Sequence, residues 1–130
     1  MIQLNPRELD VLNILWKSKE PMMATDIVNA GDGLTQSTVT AVLRKLLQEG
    51  LVEVTGITHS GRVLSRIYRP TEASRDLILK DFTSTYNSFN NIISEAVICA
   101  AILTDNKSPE HTKAELLKLK ELLSTFESSL

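Results

Sequence analysis

The chain has 130 residues, of which 42% are hydrophobic and 23% charged, the balance of an ordinary globular protein with room for one domain or a small domain with an oligomerisation arm. Aromatic residues are only 5% of the chain, so the core must rest on Leu, Ile and Val, and the single cysteine, Cys99, excludes an internal disulfide and suits a reducing, cytoplasmic location. The formal net charge of −2 argues weakly against a nucleic-acid partner, but the charge is uneven: residues 35–70 hold Arg44, Lys45, Arg62, Arg66 and Arg69 against Glu49 and Glu53, and acidic segments on either side mask that basic third.

The opening "MIQLNPRELD" has no basic stretch leading into an apolar run, so no signal peptide is expected, and no apolar segment is long enough to span a bilayer. "AVICAAIL" at 96–103 comes nearest and lies within a longer helical pattern. Asn5-Pro6-Arg7-Glu8 reads as a helix start, with Asn5 as cap, Pro6 in the first turn and Glu8 where a capping box places its carboxylate. Leu9, Leu12, Ile14, Leu15 and Trp16 recur at helical spacing, and Trp16 reads most simply as core. "KSKEP" ends this helix, a short second one covers about 24–30 and buries Ile27, and "GDG" at 31–33 is a turn.

Thr35 or Ser37 can cap a third helix whose apolar residues Val39, Val42, Leu43, Leu46 and Leu47 form one stripe, with Gly50 placed to stop it. Two strand-like runs, 51–58 and 62–68, follow and are joined by "HSG", although the adjacent Ile67 and Tyr68 break the alternation of the second. Pro70 closes the hairpin and Thr71 can cap the next helix. Helical spacing then runs to about residue 103 with a break near Asn90-Asn91, and Ser108-Pro109 starts a last helix rich in leucine. The expected division is a head at 1–70 and a helical domain at 71–130.

Three short helices and then a hairpin is the order of a winged helix-turn-helix, a mainly α fold with a small β wing. In that fold the third helix enters the DNA major groove and the hairpin lies along the flanking backbone. The groove is about 12 Å wide and admits one helix, so bulky residues on the leading turn would hold it off. Gln36, Ser37, Thr38, Thr40 and Ala41 are short or neutral and suit close approach to base edges and thymine methyls. Arg44 and Lys45 one turn on, and Arg62 and Arg66 on the hairpin, can reach phosphate, with Arg69 as a further candidate. The plainer reading of Thr35, Ser37 and Thr38 is ordinary capping, and it is the hairpin arginines that shift the balance toward DNA.

"LNPRELDVLNILWKSKEPMMATDIV", "LTQSTVTAVLRKLLQEGLVE" and "GRVLSRIYRPTEA" together resemble the penicillinase and methicillin-resistance repressors and their copper-responsive relatives, the BlaI/MecI/CopY family. Glu8, Val11, Leu12, Leu15, Trp16, Thr38, Val39, Leu43, Leu46, Gly50, Leu51 and Tyr68 carry the likeness, which covers roughly residues 3–75. The resemblance implies a dimeric repressor on a palindromic operator, paired through its C-terminal helices and released by a sensor protease or another inducer. Ser37 and Thr40 stand where relatives often carry Lys and Arg, and Glu49 where they often carry Lys. The Asn-Phe dipeptide at which antibiotic-responsive members are cut is absent, its place falling near Ala100-Ala101, and the chain ends "STFESSL" without the paired Cys-x-Cys of the copper-responsive members.

Phe82, Tyr86, Phe89, Ile93, Val97, Leu116, Leu119 and Leu123 are the expected dimerisation residues, being more apolar surface than one small arm can bury on itself. Cys99 reads as a buried core thiol, and His59, His111 and Cys99 lack ligand spacing, so no metal or cofactor is expected. There is no phosphate loop, nucleophile elbow or paired-carboxylate signature, so the chain does not read as an enzyme. Two other readings stay open, a winged helix that binds protein and a ligand-sensing regulator of the MarR kind.

Overall fold

A computed structural model describes residues 4–130. The elements in chain order are α1 (Pro6–Lys17), α2 (Ala24–Ala30), α3 (Gln36–Gln48), β1 (Val52–Ser60), β2 (Val63–Pro70), α4 (Glu72–Asn87), α5 (Glu95–Thr104) and α6 (Pro109–Ser129). The chain divides into two compact units, one ending at Ser84 and the other spanning Thr85–Leu130.

The first unit is a winged helix-turn-helix. Its core is Val11, Leu12 and Leu15 of α1, Ile27 of α2, and Val39, Val42, Leu43 and Leu46 of α3, with Leu4, Leu34, Leu51 and Val52 closing it. Each fully buried Val, Leu or Ile contributes about 1.5–3 kcal/mol relative to exposure, and the stripe read on α3 supplies four of the core residues. The capping box at the start of α1 is formed: Glu8 N–H donates to Asn5 Oδ1 at 2.9 Å and Asn5 N–H to Glu8 Oε1 at 3.3 Å. The first turn of α2 carries Asp26, whose carboxylate accepts from the Met23 N–H at 3.0 Å.

Gly50 ends α3 as expected. Its φ of 74° lies in the left-handed region, the Gly50 N–H reaches the Leu47 carbonyl at 3.2 Å, and the Leu51 N–H reaches the Leu46 carbonyl at 2.9 Å. These are the paired bonds of a Schellman cap, which turns the chain from the buried stripe of α3 into β1.

The hairpin is longer than expected and its tip lies one residue later. Ser60 pairs with Val63, leaving Gly61 and Arg62 as a two-residue connection. Gly61 has φ 66°, and glycine at the first central position fits a type II′ hairpin turn. The ladder slips between Val54 and Gly56, so Thr55 is a bulge. Tyr68 packs on the core whereas its neighbour Ile67 lies over Gly56, which accounts for two adjacent apolar residues on opposite faces. A further rung joins Met22 to Tyr68, with N–H to carbonyl distances of 2.9 and 2.8 Å, and ties the α1–α2 connection to the wing.

Trp16 is a correction to the sequence reading. It is 37% exposed, and its indole N–H donates to Ser74 Oγ at 2.9 Å. Ser74 is fully buried and donates in turn to the Thr71 carbonyl at 2.6 Å, so this pair joins α1 to the first turn of α4. The Thr71 hydroxyl, expected at the helix cap, donates to the Gly50 carbonyl at 2.7 Å.

In the second unit the helical run breaks at 88–94, around the expected Asn90-Asn91. The Tyr86 hydroxyl donates across this break to the Ile93 carbonyl at 2.6 Å. Ser94 caps α5 and Ser108 caps α6, as the Ser-Pro pair predicted. The Thr112 hydroxyl donates to the Leu103 carbonyl at 2.7 Å and fastens α6 to α5. Neither α5 nor α6 contains a buried residue. Cys99 is exposed in the single chain, contrary to the core thiol expected.

Candidate nucleic-acid interface

α3 turns its apolar stripe inward, which forces the remaining residues onto one outer face. Gln36, Ser37, Thr40, Ala41, Arg44, Lys45 and Gln48 are all exposed, and Thr38 is half-buried. The first turn is a small hydroxyl network. Thr35 Oγ1 accepts from the Thr38 N–H at 3.2 Å, donates to Thr38 Oγ1 at 2.9 Å, and lies 3.3 Å from Ser37 Oγ. Capping therefore explains Thr35 and Thr38, but it leaves Gln36, Thr40 and Ala41 without a structural task. Those three, with Ser37, form an outward surface that carries no charge and no long aliphatic chain.

The two cations that follow differ in their surroundings. Arg44 is exposed and has no ion pair among the described residues, whereas the Lys45 ammonium lies 2.9 Å from Glu8 Oε1. The hydrogen bond to Glu8 holds the Lys45 pKa above its ordinary 10.5; desolvation opposes it, and the charges of Glu8 and Glu49 add to it. Nothing in the spacing of the sequence joined residue 45 to residue 8. Glu8 is the one buried charged residue among those described, 1% exposed, and its presence on the inner face of an amphipathic helix is the signal that could have revealed the pair.

On the wing, Arg62 sits in the two-residue turn and Arg66 opposite Ile57. Both are exposed, and neither makes an ion pair among the described residues. Arg69 is instead paired with Glu53 across the hairpin. Ile57, Val63 and Leu64 near the tip are exposed as well, an apolar feature that the sequence reading left out. α3 and the wing belong to the same unit and are joined through the Gly50 turn.

Of the residues expected at a dimer interface, Phe82, Phe89, Val97, Leu116 and Leu123 are exposed, and Tyr86, Ile93 and Leu119 are half-buried. Phe82 belongs to the first unit and the others to the second.

Elsewhere, Leu9, Asp10, Asn13 and Trp16 of α1 with Arg75 and Ile78 of α4 line an open cleft of about 370 Å³. Among the described residues no group of His, Cys, Asp or Glu could hold a metal ion, and no helix is long and apolar enough to cross a membrane.

Solved structures of similar fold include two variants of MepR from S. aureus. One, bound to an oligodeoxyribonucleotide, has 19% identity over 95% of this chain and 80% of its own, with a TM-score of 0.51. The other, from a multidrug-resistant clinical isolate, has the same identity and coverage and a TM-score of 0.53. The transcriptional regulator Tm0710 of Thermotoga maritima has 21% identity over 96% of this chain and 78% of its own, with a TM-score of 0.50. No curated protein sequence matches the chain. The profile of the penicillinase repressor family matches residues 4–125, which takes in the capped α1, α2, α3, the wing and most of α6. The chain belongs to the penicillinase repressor family, whose members are winged-helix transcriptional regulators rather than enzymes.

Proposed function

We propose that this chain is a homodimeric repressor that binds a palindromic operator, with one α3 in the major groove of each half-site. The carrying observation is the outer face of α3: four exposed, uncharged residues, Gln36, Ser37, Thr40 and Ala41, followed by the unpaired Arg44. The short side chains let the helix backbone approach base edges, and Arg44 fixes its register on phosphate. Arg62 and Arg66 hold the flanking backbone from the wing. The oligodeoxyribonucleotide bound to the similarly folded MepR variant supports a DNA partner.

The dimer rests on the second unit. Its two full helices bury no residue, and Phe89, Val97, Leu116 and Leu123 are open to solvent, a surface a second copy would cover. Pairing also answers the weak charge of one head, because two heads at fixed spacing add their base contacts and match a two-fold operator. Release needs an inducer. With no Asn-Phe dipeptide in the chain, a sensor protease would cut at another sequence or give way to a different signal.

Gel shifts with fragments of the host genome test the reading. A few fragments should shift at concentrations that leave the rest free, and Ser37→Ala or Thr40→Ala should change which fragments are preferred. Equal binding to every fragment, unchanged by either substitution, would rule out a reading head. Absence of DNA binding would favour the protein-binding use of the fold instead.

A further inference from the structure

Glu8 carries more charge than its local role needs. A capping box works equally well with glutamine, yet here a carboxylate is buried, and a buried charge is costly unless paired. Oε1 accepts from the Asn5 N–H at 3.3 Å and from the Lys45 ammonium at 2.9 Å, while Oε2 is shut off from solvent with no hydrogen-bond partner. The partner that calls for a carboxylate here is Lys45, 37 positions later and one turn beyond the uncharged face of α3. The Lys45 side chain is still 47% exposed, so the pair sits at the margin of the proposed DNA-facing surface.

A lysine there would ordinarily bind phosphate. Such a contact strengthens binding to every sequence alike and steepens the fall of affinity with salt, by about 0.9 in log–log slope for each phosphate neutralised. A carboxylate within hydrogen-bonding distance offsets that charge from behind. We propose that Glu8 is a specificity-determining positioning residue: it holds Lys45 away from the DNA backbone, so that discrimination rests on Gln36, Ser37, Thr40 and Ala41. This inference rests on the reading of α3 as the DNA-binding helix.

The test is fluorescence anisotropy over a series of KCl concentrations. It uses the full chain and two duplexes of equal length, one selected from a random pool by the wild-type protein and one of mixed sequence. Arg44→Ala should lower the slope by about 1 per chain on both duplexes. Lys45→Met should leave the slope within about 0.3 of wild type, because its charge was already offset. Glu8→Gln keeps the cap, frees the cation, and should tighten mixed-sequence binding about 3- to 10-fold, steepen the slope by about 1 per chain and lower the ratio of selected to mixed affinity. A purely structural Glu8 could weaken binding on removal but would not strengthen it on mixed sequence. Circular dichroism checks that the variants are folded, and if Glu8→Gln is not, the Lys45→Met slope decides alone. A Lys45→Met slope reduced as much as that of Arg44→Ala overturns the proposal while leaving the DNA-reading helix intact. If neither substitution moves the slope, both this inference and the reading of α3 fall.

Discussion

Two polar pairs cross the head between distant parts of the chain, and each makes a residue-scale prediction. Trp16 Nε1 donates to the buried Ser74 Oγ, which is itself held by the Thr71 carbonyl. Ser74→Ala leaves the indole N–H without that partner and should cost about 1–2 kcal/mol, read as a lower urea midpoint with unchanged slope. The Lys45–Glu8 pair has a different signature. The Lys45 pKa is raised in the folded chain, so the stability it brings is fully present below pH 10.5 and is lost as pH rises through the folded value. Lys45→Met should therefore lower the melting temperature most at neutral pH and least once the pH has risen past the folded value. Neither partnership was legible in the sequence. Trp16 has the spacing of a core residue, and only the fold brings the start of α4 against its indole edge. Lys45 has the spacing of a phosphate contact, and only Glu8, a charge on the inner face of α1, hints at the carboxylate behind it.

At the scale of elements the helices were far more legible. Caps, prolines and glycines act over three or four residues, so Asn5-Pro6, Thr35, Gly50 and Ser108-Pro109 marked their boundaries directly. The hairpin was harder, because the bulge at Thr55 and the turn at Gly61-Arg62 are settled by pairing between strands. The Met22–Tyr68 rung was hidden for the same reason: one residue in a loop has no periodicity to detect. Two substitutions separate what α3 does for the fold from what it does outside it. Leu46→Ala opens a cavity beneath the helix and should cost about 2–5 kcal/mol. Thr40→Ala, on the exposed face, should change stability by less than about 0.5 kcal/mol while altering sequence preference. A Thr40→Ala variant that melts far below wild type would place Thr40 in the scaffold.

The chain combines a head with a well-buried core and two helices, α5 and α6, that have no fully buried residue. Apolar content along residues 82–126 was plain in the sequence, but a count of leucines does not say whether one chain can cover them. The folded unit answers that, since Val97, Leu116 and Leu123 remain open and Cys99 is exposed as well. Sedimentation should find a dimer at micromolar concentration. Val97→Glu or Leu123→Glu should shift it toward monomer and weaken operator binding at least tenfold, without lowering the melting transition of the head. Two such heads reading one two-fold site through α3 would leave their mark in a selection from a random duplex pool followed by footprinting of the winners. The expected outcome is an inverted repeat, protected on both halves, with half-site centres about 34–36 Å apart or a multiple of that, and a different consensus for Ser37→Ala. Enrichment of no sequence, or of a single unrepeated site with the same consensus for Ser37→Ala, would contradict it.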